Sequence, residues 1–173
     1  MAYIKDPEWY YANQGTPAKF YSNAIFLLLA GYHLFYHKNV ELSILFSLLF
    51  LGSTLFHWIP NRETLLVDRM TMILLFAYYF HLFYPYVPFT YYGIAGILTV
   101  IIWYMSEELM YYFLFQTIGI LLYFFYYPMK MTYKMALVTA YVVITYSQLL
   151  NRGEYHSLKH ILLGLISLFI YPN

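Results

Sequence analysis

A chain of 173 residues that is 62% hydrophobic, 24% aromatic and only 10% charged carries too few polar side chains to coat a soluble domain, and its mean hydropathy of +0.58 agrees. A formal net charge of +1 gives no electrostatic footprint for nucleic acid. The absence of cysteine excludes disulfides and thiolate metal sites, leaving imidazole and carboxylate as metal ligands.

The opening segment, MAYIKDPEWYYANQGTPAKF, mixes acids with aromatics. It has neither the short apolar core nor the small-residue cleavage site of a signal peptide, so it reads as mature sequence. Apolar runs follow at 20–36, 43–59, 66–84, 88–105, 109–127, 134–150 and 156–171. Crossing a bilayer takes about 20 residues, so seven such runs use nearly the whole chain. The expected fold is an all-α integral membrane protein: residues 1–173 as one seven-helix membrane domain with short loops, a multi-pass protein.

The breaks between runs carry helix-stopping chemistry: His37-Lys38-Asn39, Pro60-Asn61-Arg62-Glu63, Pro85 with Pro88, Ser106-Glu107-Glu108, Pro128 with Lys130, and Asn151-Arg152-Gly153-Glu154. Ser106 is expected to cap the fifth span, with Glu107 and Glu108 in its first turn, where the helix dipole favours acids. Lys5, Lys19, Arg62 and Arg152 fall on the N-terminal side, against Lys38, Lys130 and Lys134 on the other, a balance that does not set orientation.

Against this background five polar residues stand out. Ser53 and His57 are one helical turn apart in GSTLFHW, Asp68 opens the third span, and His156 and His160 are one turn apart in HSLKH. Such groups are costly in lipid and mark functional sites. Seven alternating spans place the end of span two and the starts of spans three and seven at the same membrane face, so all five can share one ion. Three neutral imidazoles, His57, His156 and His160, leave a catalytic zinc one open position, where bound water falls to a pKa of about 7. Asp68, a proton acceptor or a fourth ligand, and Ser53, a donor to a polarised carbonyl, complete a hydrolytic set.

Other polar groups have simpler readings. His33, His37 and Glu41 recur every fourth residue and are expected as an interfacial stripe at the far end of span one. His81, near the far end of span three, is expected to lie among aromatics, and Lys159 to snorkel from a different face than its histidine neighbours.

Three segments together, GSTLFHW, VDRMTM and HSLKHILLGL, resemble the alkaline ceramidases. Those enzymes belong to a superfamily of seven-helix membrane hydrolases that also includes the adiponectin-receptor-like proteins. The resemblance runs from Trp9 to the last span. It implies zinc on His57, His156 and His160, with Asp68 and Ser53 completing the water-binding and catalytic set. It also implies a ceramide-like membrane lipid as substrate, cleaved at its amide to a sphingoid base and a fatty acid; the sequence points to no known protein partner. The family's N-terminal segment holds calcium. Here Glu8, Trp9 and Asn13 match it, but Tyr11 and Lys19 stand where the family has Glu. Calcium needs six to eight oxygens and net negative charge, so the expectation is a vestigial calcium region in which the Lys19 ammonium organises Glu8 and Asn13. The alternatives are a related lipid hydrolase with another substrate, and a receptor-like or transport protein with a structural zinc.

Overall fold

The computed structural model describes residues 16–83, 88–106 and 155–169, and among these the chain is helical with no strand. The helices are α1 (Pro17–Ser22), α2 (Ala24–Phe35), α3 (Val40–Trp58), α4 (Arg62–Phe83), α5 (Phe89–Ser106) and α6 (Tyr155–Phe169). They coincide with the apolar runs expected at 20–36, 43–59, 66–84, 88–105 and 156–171. The runs at 109–127 and 134–150 lie outside the described residues.

Polar caps, rather than the apolar runs, set the helix starts. The Asn39 side chain accepts the Leu42 N–H at 2.8 Å, which starts α3 three residues before its apolar run. At α4, Asn61 Oδ1 accepts the Thr64 N–H at 2.8 Å and Thr64 Oγ1 accepts the Asn61 N–H at 3.2 Å. That reciprocal pair is a capping box with Thr in place of the usual acid. Pro17 opens α1, where its missing N–H costs nothing.

The first apolar run is not one helix. At Asn23 the backbone tightens to 3₁₀ spacing, with the Asn23 N–H on the Phe20 carbonyl at 3.3 Å and the Phe26 N–H on the Asn23 carbonyl at 2.9 Å. The Lys19 carbonyl, which an unbroken α-helix would pair with the Asn23 N–H, instead accepts the Ser22 hydroxyl at 2.8 Å. Two side chains are thereby aimed at neighbouring helices, as described below.

α2 packs on α3, α3 on α4 and α4 on α5, while α6 packs on α1 and α2. The core lies between α2, α3 and α4 and contains Phe26, Leu29, Leu42, Phe46, Leu49, Met72, Leu75 and Tyr79. Small residues allow the helices to approach closely. A Cβ on Gly52 would stand 2.9 Å from Thr71 Oγ1 and 3.4 Å from the Asp68 Cα; on Gly96 and Gly164 it would run into Ile73 and Ile25.

The outer faces are apolar. Leu28, Phe35, Leu51, Trp58, Tyr91 and Ile94 are all more than half exposed. α3, with 19 residues, is the one helix among the described residues long and apolar enough to cross a membrane. α4 is longer, at 22 residues, but carries Arg62, Glu63, Asp68 and Arg69 in its first two turns.

One sequence expectation changes. His33, His37 and Glu41 do not form a stripe on one helix, because α2 ends at Phe35 and Glu41 belongs to the first turn of α3. The chain turns between them through Lys38, whose φ of 56° is left-handed, a conformation that ordinarily favours glycine. His33 instead lies flat on Phe46 with ring centroids 5.2 Å apart, and His37 stacks on His33 at 5.4 Å. The expected cap at Ser106, with Glu107 and Glu108 in the next span's first turn, lies outside the described residues beyond the end of α5 at Ser106.

Candidate metal centre

The buried stripe of α3 runs through Leu42, Phe46, Leu49, Gly52, Ser53, Phe56 and His57, at the three- and four-residue steps of a helix. Its first half is hydrocarbon in the core. Its last turn substitutes a hydroxyl and an imidazole, so the sequence places polar chemistry at one end of an otherwise apolar seam. His160 occupies the equivalent place near the start of α6 and is buried against α2 by Phe26, with ring centroids 5.5 Å apart.

These two histidines, distant in sequence, meet: the His57 and His160 rings are 5.3 Å apart at an interplanar angle of 55°. Both are nearly closed to solvent, at 3% and 6% exposed. Two imidazoles on one tetrahedral zinc, with Zn–N bonds of about 2.1 Å, would have ring centres roughly 5 Å apart. The pair therefore fits a shared ion.

Ser53 and Asn23 are also fully enclosed. The Ser53 hydroxyl donates to Asn23 Oδ1 at 3.0 Å, and Asn23 Nδ2 donates to Thr54 Oγ1 at 3.5 Å. Ser53 was expected to donate to a polarised carbonyl. Its single proton is committed to Asn23, so donation to a substrate requires the hydroxyl to turn away from Asn23. Beside Asn23, Ser22 Oγ lies 2.9 Å from His160 Nδ1. The 3₁₀ turn thus links α1 and α2 to α3 through one side chain and to α6 through the next.

Asp68 is buried at the start of α4, its backbone against Gly52. Its carboxylate pairs with Arg69, Oδ2 to the guanidinium at 3.5 Å, and Arg69 also reaches the Met72 sulfur at 3.1 Å. Among the described residues no three His, Asp or Glu side chains gather closely enough to hold a metal ion. The structure brings His57 and His160 together with Ser53 one turn before His57 on α3, and it pairs the Asp68 carboxylate with Arg69. His156 lies in the first turn of α6, but its side chain is outside the described residues, as are Glu8, Trp9 and Asn13.

Lys19 is in α1, one turn before Ser22, and is 2% exposed. Burial penalises its charged form and lowers its pKa to about 8. His81 packs beside Tyr78 and Phe89, as expected of an imidazole among aromatics.

Ser22 and Asn23 had no part in the sequence reading because neither belongs to a repeated spacing. The signal that could have found them is the one that found the histidines: an adjacent Ser-Asn pair inside the apolar run 20–36 needs polar partners on other helices.

No family model, curated protein or solved structure matches this chain.

Proposed function

We propose that this protein is a multi-pass membrane hydrolase that uses zinc held by His57, His156 and His160 to cleave the amide of a ceramide-like lipid. The observation that carries this reading is the convergence of His57 and His160 from separate helices into one buried contact with Ser53 a turn away. Burying hydroxyl, imidazole and carboxylate groups while exposing leucine and tryptophan is the reverse of what water favours and suits a surrounding of lipid. The superfamily resemblance supplies the substrate class.

Bound zinc would supply a water acidic enough to be a nucleophile near neutral pH and would polarise the amide carbonyl. The chain's own residues do the rest. His57 and His160 hold their rings in place by packing, against Phe56 and Phe26 respectively. Asp68 would accept the proton of such a water, for which its carboxylate would have to leave Arg69. Ser53, once turned from Asn23, would donate to the oxygen that gains charge. The bundle excludes bulk water, which strengthens each of these interactions.

The second reading, a structural zinc clamping α3 to α6 in a receptor-like or transport protein, draws on the same bridging pair. One experiment separates the two. Full-length protein purified in detergent is analysed for zinc, and fatty acid release from ceramide is measured for wild type, His57→Ala and His156→Ala. The hydrolase reading expects about one zinc per chain and turnover that both substitutions abolish. Zinc without turnover of any lipid amide selects the clamp, and absence of zinc from wild type refutes both.

A further inference from the structure

We infer that Ser157 is a headgroup contact that selects the lipid: its hydroxyl bonds a lipid hydroxyl carried next to the carbon that bears the amide nitrogen. The inference deepens the hydrolase reading and rests on it. Ser157 lies in the first turn of α6 and is half-buried as a residue, yet its Oγ is closed off and makes no hydrogen bond among the described residues. A buried hydroxyl in that state is costly and calls for an explanation.

Helix periodicity shows where this hydroxyl sits. Ser157 stands three residues before His160 and seven before Gly164, on the stripe of α6 that faces the bundle, while Leu158, Ile161 and Leu165 form the exposed side. α6 runs alongside α1 and α2, with Ser22 Oγ 2.9 Å from His160 Nδ1 and Gly164 close against Ile25. One turn back along both helices, Lys19 comes level with Ser157, and Lys19 is 2% exposed, so α1 closes this level to water. The hydroxyl therefore lies inside the bundle, one turn nearer the start of α6 than the contact between His57 and His160. Three helical residues span about 4.5 Å along the axis. In an amide lipid, a hydroxyl on the carbon next to the nitrogen-bearing one reaches up to about 5 Å from the carbonyl carbon, by standard bond lengths. A carbonyl held at the paired imidazoles thus brings that hydroxyl to the level of Ser157, whose oxygen can accept from it or donate to it. A site built to bond a hydroxyl disfavours the analogue lacking it, because the protein group is then left unpaired.

The test compares full-length wild type and Ser157→Ala in detergent for fatty acid release from ceramide and from two analogues, one lacking the primary and one the secondary hydroxyl of the sphingoid base. Wild type is expected to prefer ceramide over at least one analogue in kcat/KM. Ser157→Ala should lower kcat/KM for ceramide about 10-fold while leaving that analogue unchanged, which erases the preference. The substrate-free protein gives a second readout: removing a hydroxyl that has no partner in the fold should leave the unfolding midpoint where it was or raise it. A midpoint lowered by Ser157→Ala shows a hydroxyl bonded within the protein and overturns the inference. So does a wild type without preference, or a Ser157→Ala protein whose losses are equal on all three lipids or absent from all three. Wild type that releases no fatty acid from ceramide refutes the hydrolase reading, and the headgroup role with it.

Discussion

At Gly52, one residue before Ser53, α3 lies close against Thr71 and the Asp68 backbone of α4, and replacing it with alanine measures how tightly that approach is set. The new methyl carbon would stand 2.9 Å from Thr71 Oγ1 and 3.3 Å from Thr71 Cγ2, inside the separation of about 3.5 to 4.0 Å at which carbon contacts are favourable. Thr71 cannot simply swing aside, because its hydroxyl donates to the Asp68 carbonyl at 2.8 Å. Overpacking of this kind costs about 1 to 3 kcal/mol, losing the threonine bond adds about 1 kcal/mol, and the better helix propensity of alanine returns up to about 1 kcal/mol. The net expectation is a loss of about 1 to 3 kcal/mol. Thermal unfolding in detergent, followed by circular dichroism, should show a midpoint lower by several degrees, at roughly 2 to 4 °C per kcal/mol for a chain of this size. Thr71→Ala in the Gly52→Ala background removes the obstruction and should recover most of the loss, with a coupling of about 1 to 3 kcal/mol in the double-mutant cycle. Additive effects, or a Gly52→Ala protein as stable as wild type, would refute the close-packing argument.

Three further outcomes are expected. Lys19 has a lower pKa folded, about 8, than its ordinary 10.5, so the unfolded chain binds more protons between those values and stability should rise with pH across that window. The rise is on the order of 3 kcal/mol and should be absent in Lys19→Met, which should also be the more stable protein at pH 7; equal pH slopes for the two would contradict the burial account. For the Asp68–Arg69 pair, 6% and 4% exposed at the side chains, Asp68→Asn and Arg69→Met should each destabilise by about 3 to 5 kcal/mol by stranding a buried charge, and the double variant by less than either; a double variant worse than both singles would show that the pair matters by packing alone. Asn23→Ala removes the acceptor of the Ser53 proton and should cost about 1 to 3 kcal/mol, seen as a lower unfolding midpoint that Ser53→Ala in the same chain partly restores, whereas undiminished stability of Asn23→Ala would count against the hydrogen bond.

The parts legible in the sequence were those with a period. Hydropathy located the described helices, and the fourth-residue spacing of Ser53 with His57 and of His156 with His160 marked the polar turns. Helix ends were less legible because Asn39 and Asn61 start α3 and α4 ahead of the apolar residues, and a polar cap has no hydropathy signal of its own. The kink at Asn23 was hidden inside an apolar run because local 3₁₀ bonds to the Phe20 and Asn23 carbonyls make it, and a change of backbone spacing leaves no mark in hydropathy. Asp68 is a different case: its spacing from His57 permits a shared site, but the adjacent Arg69 claims its carboxylate, a choice that only packing decides.

The seating of α6 on α1 and α2, with His160 against His57, bears on the order in which the protein is made. Ribosomes add about 5 to 20 residues per second, so α1 to α5 leave the ribosome seconds before α6 does. They can settle around the core of Phe46, Leu49 and Leu75 in that interval, with His57 already in place. The contact between His57 and His160 forms only when α6 docks, which makes arrival of α6 the step that pairs the two imidazoles. A nascent chain halted after α5 would hold His57 without the imidazole it meets in the finished protein.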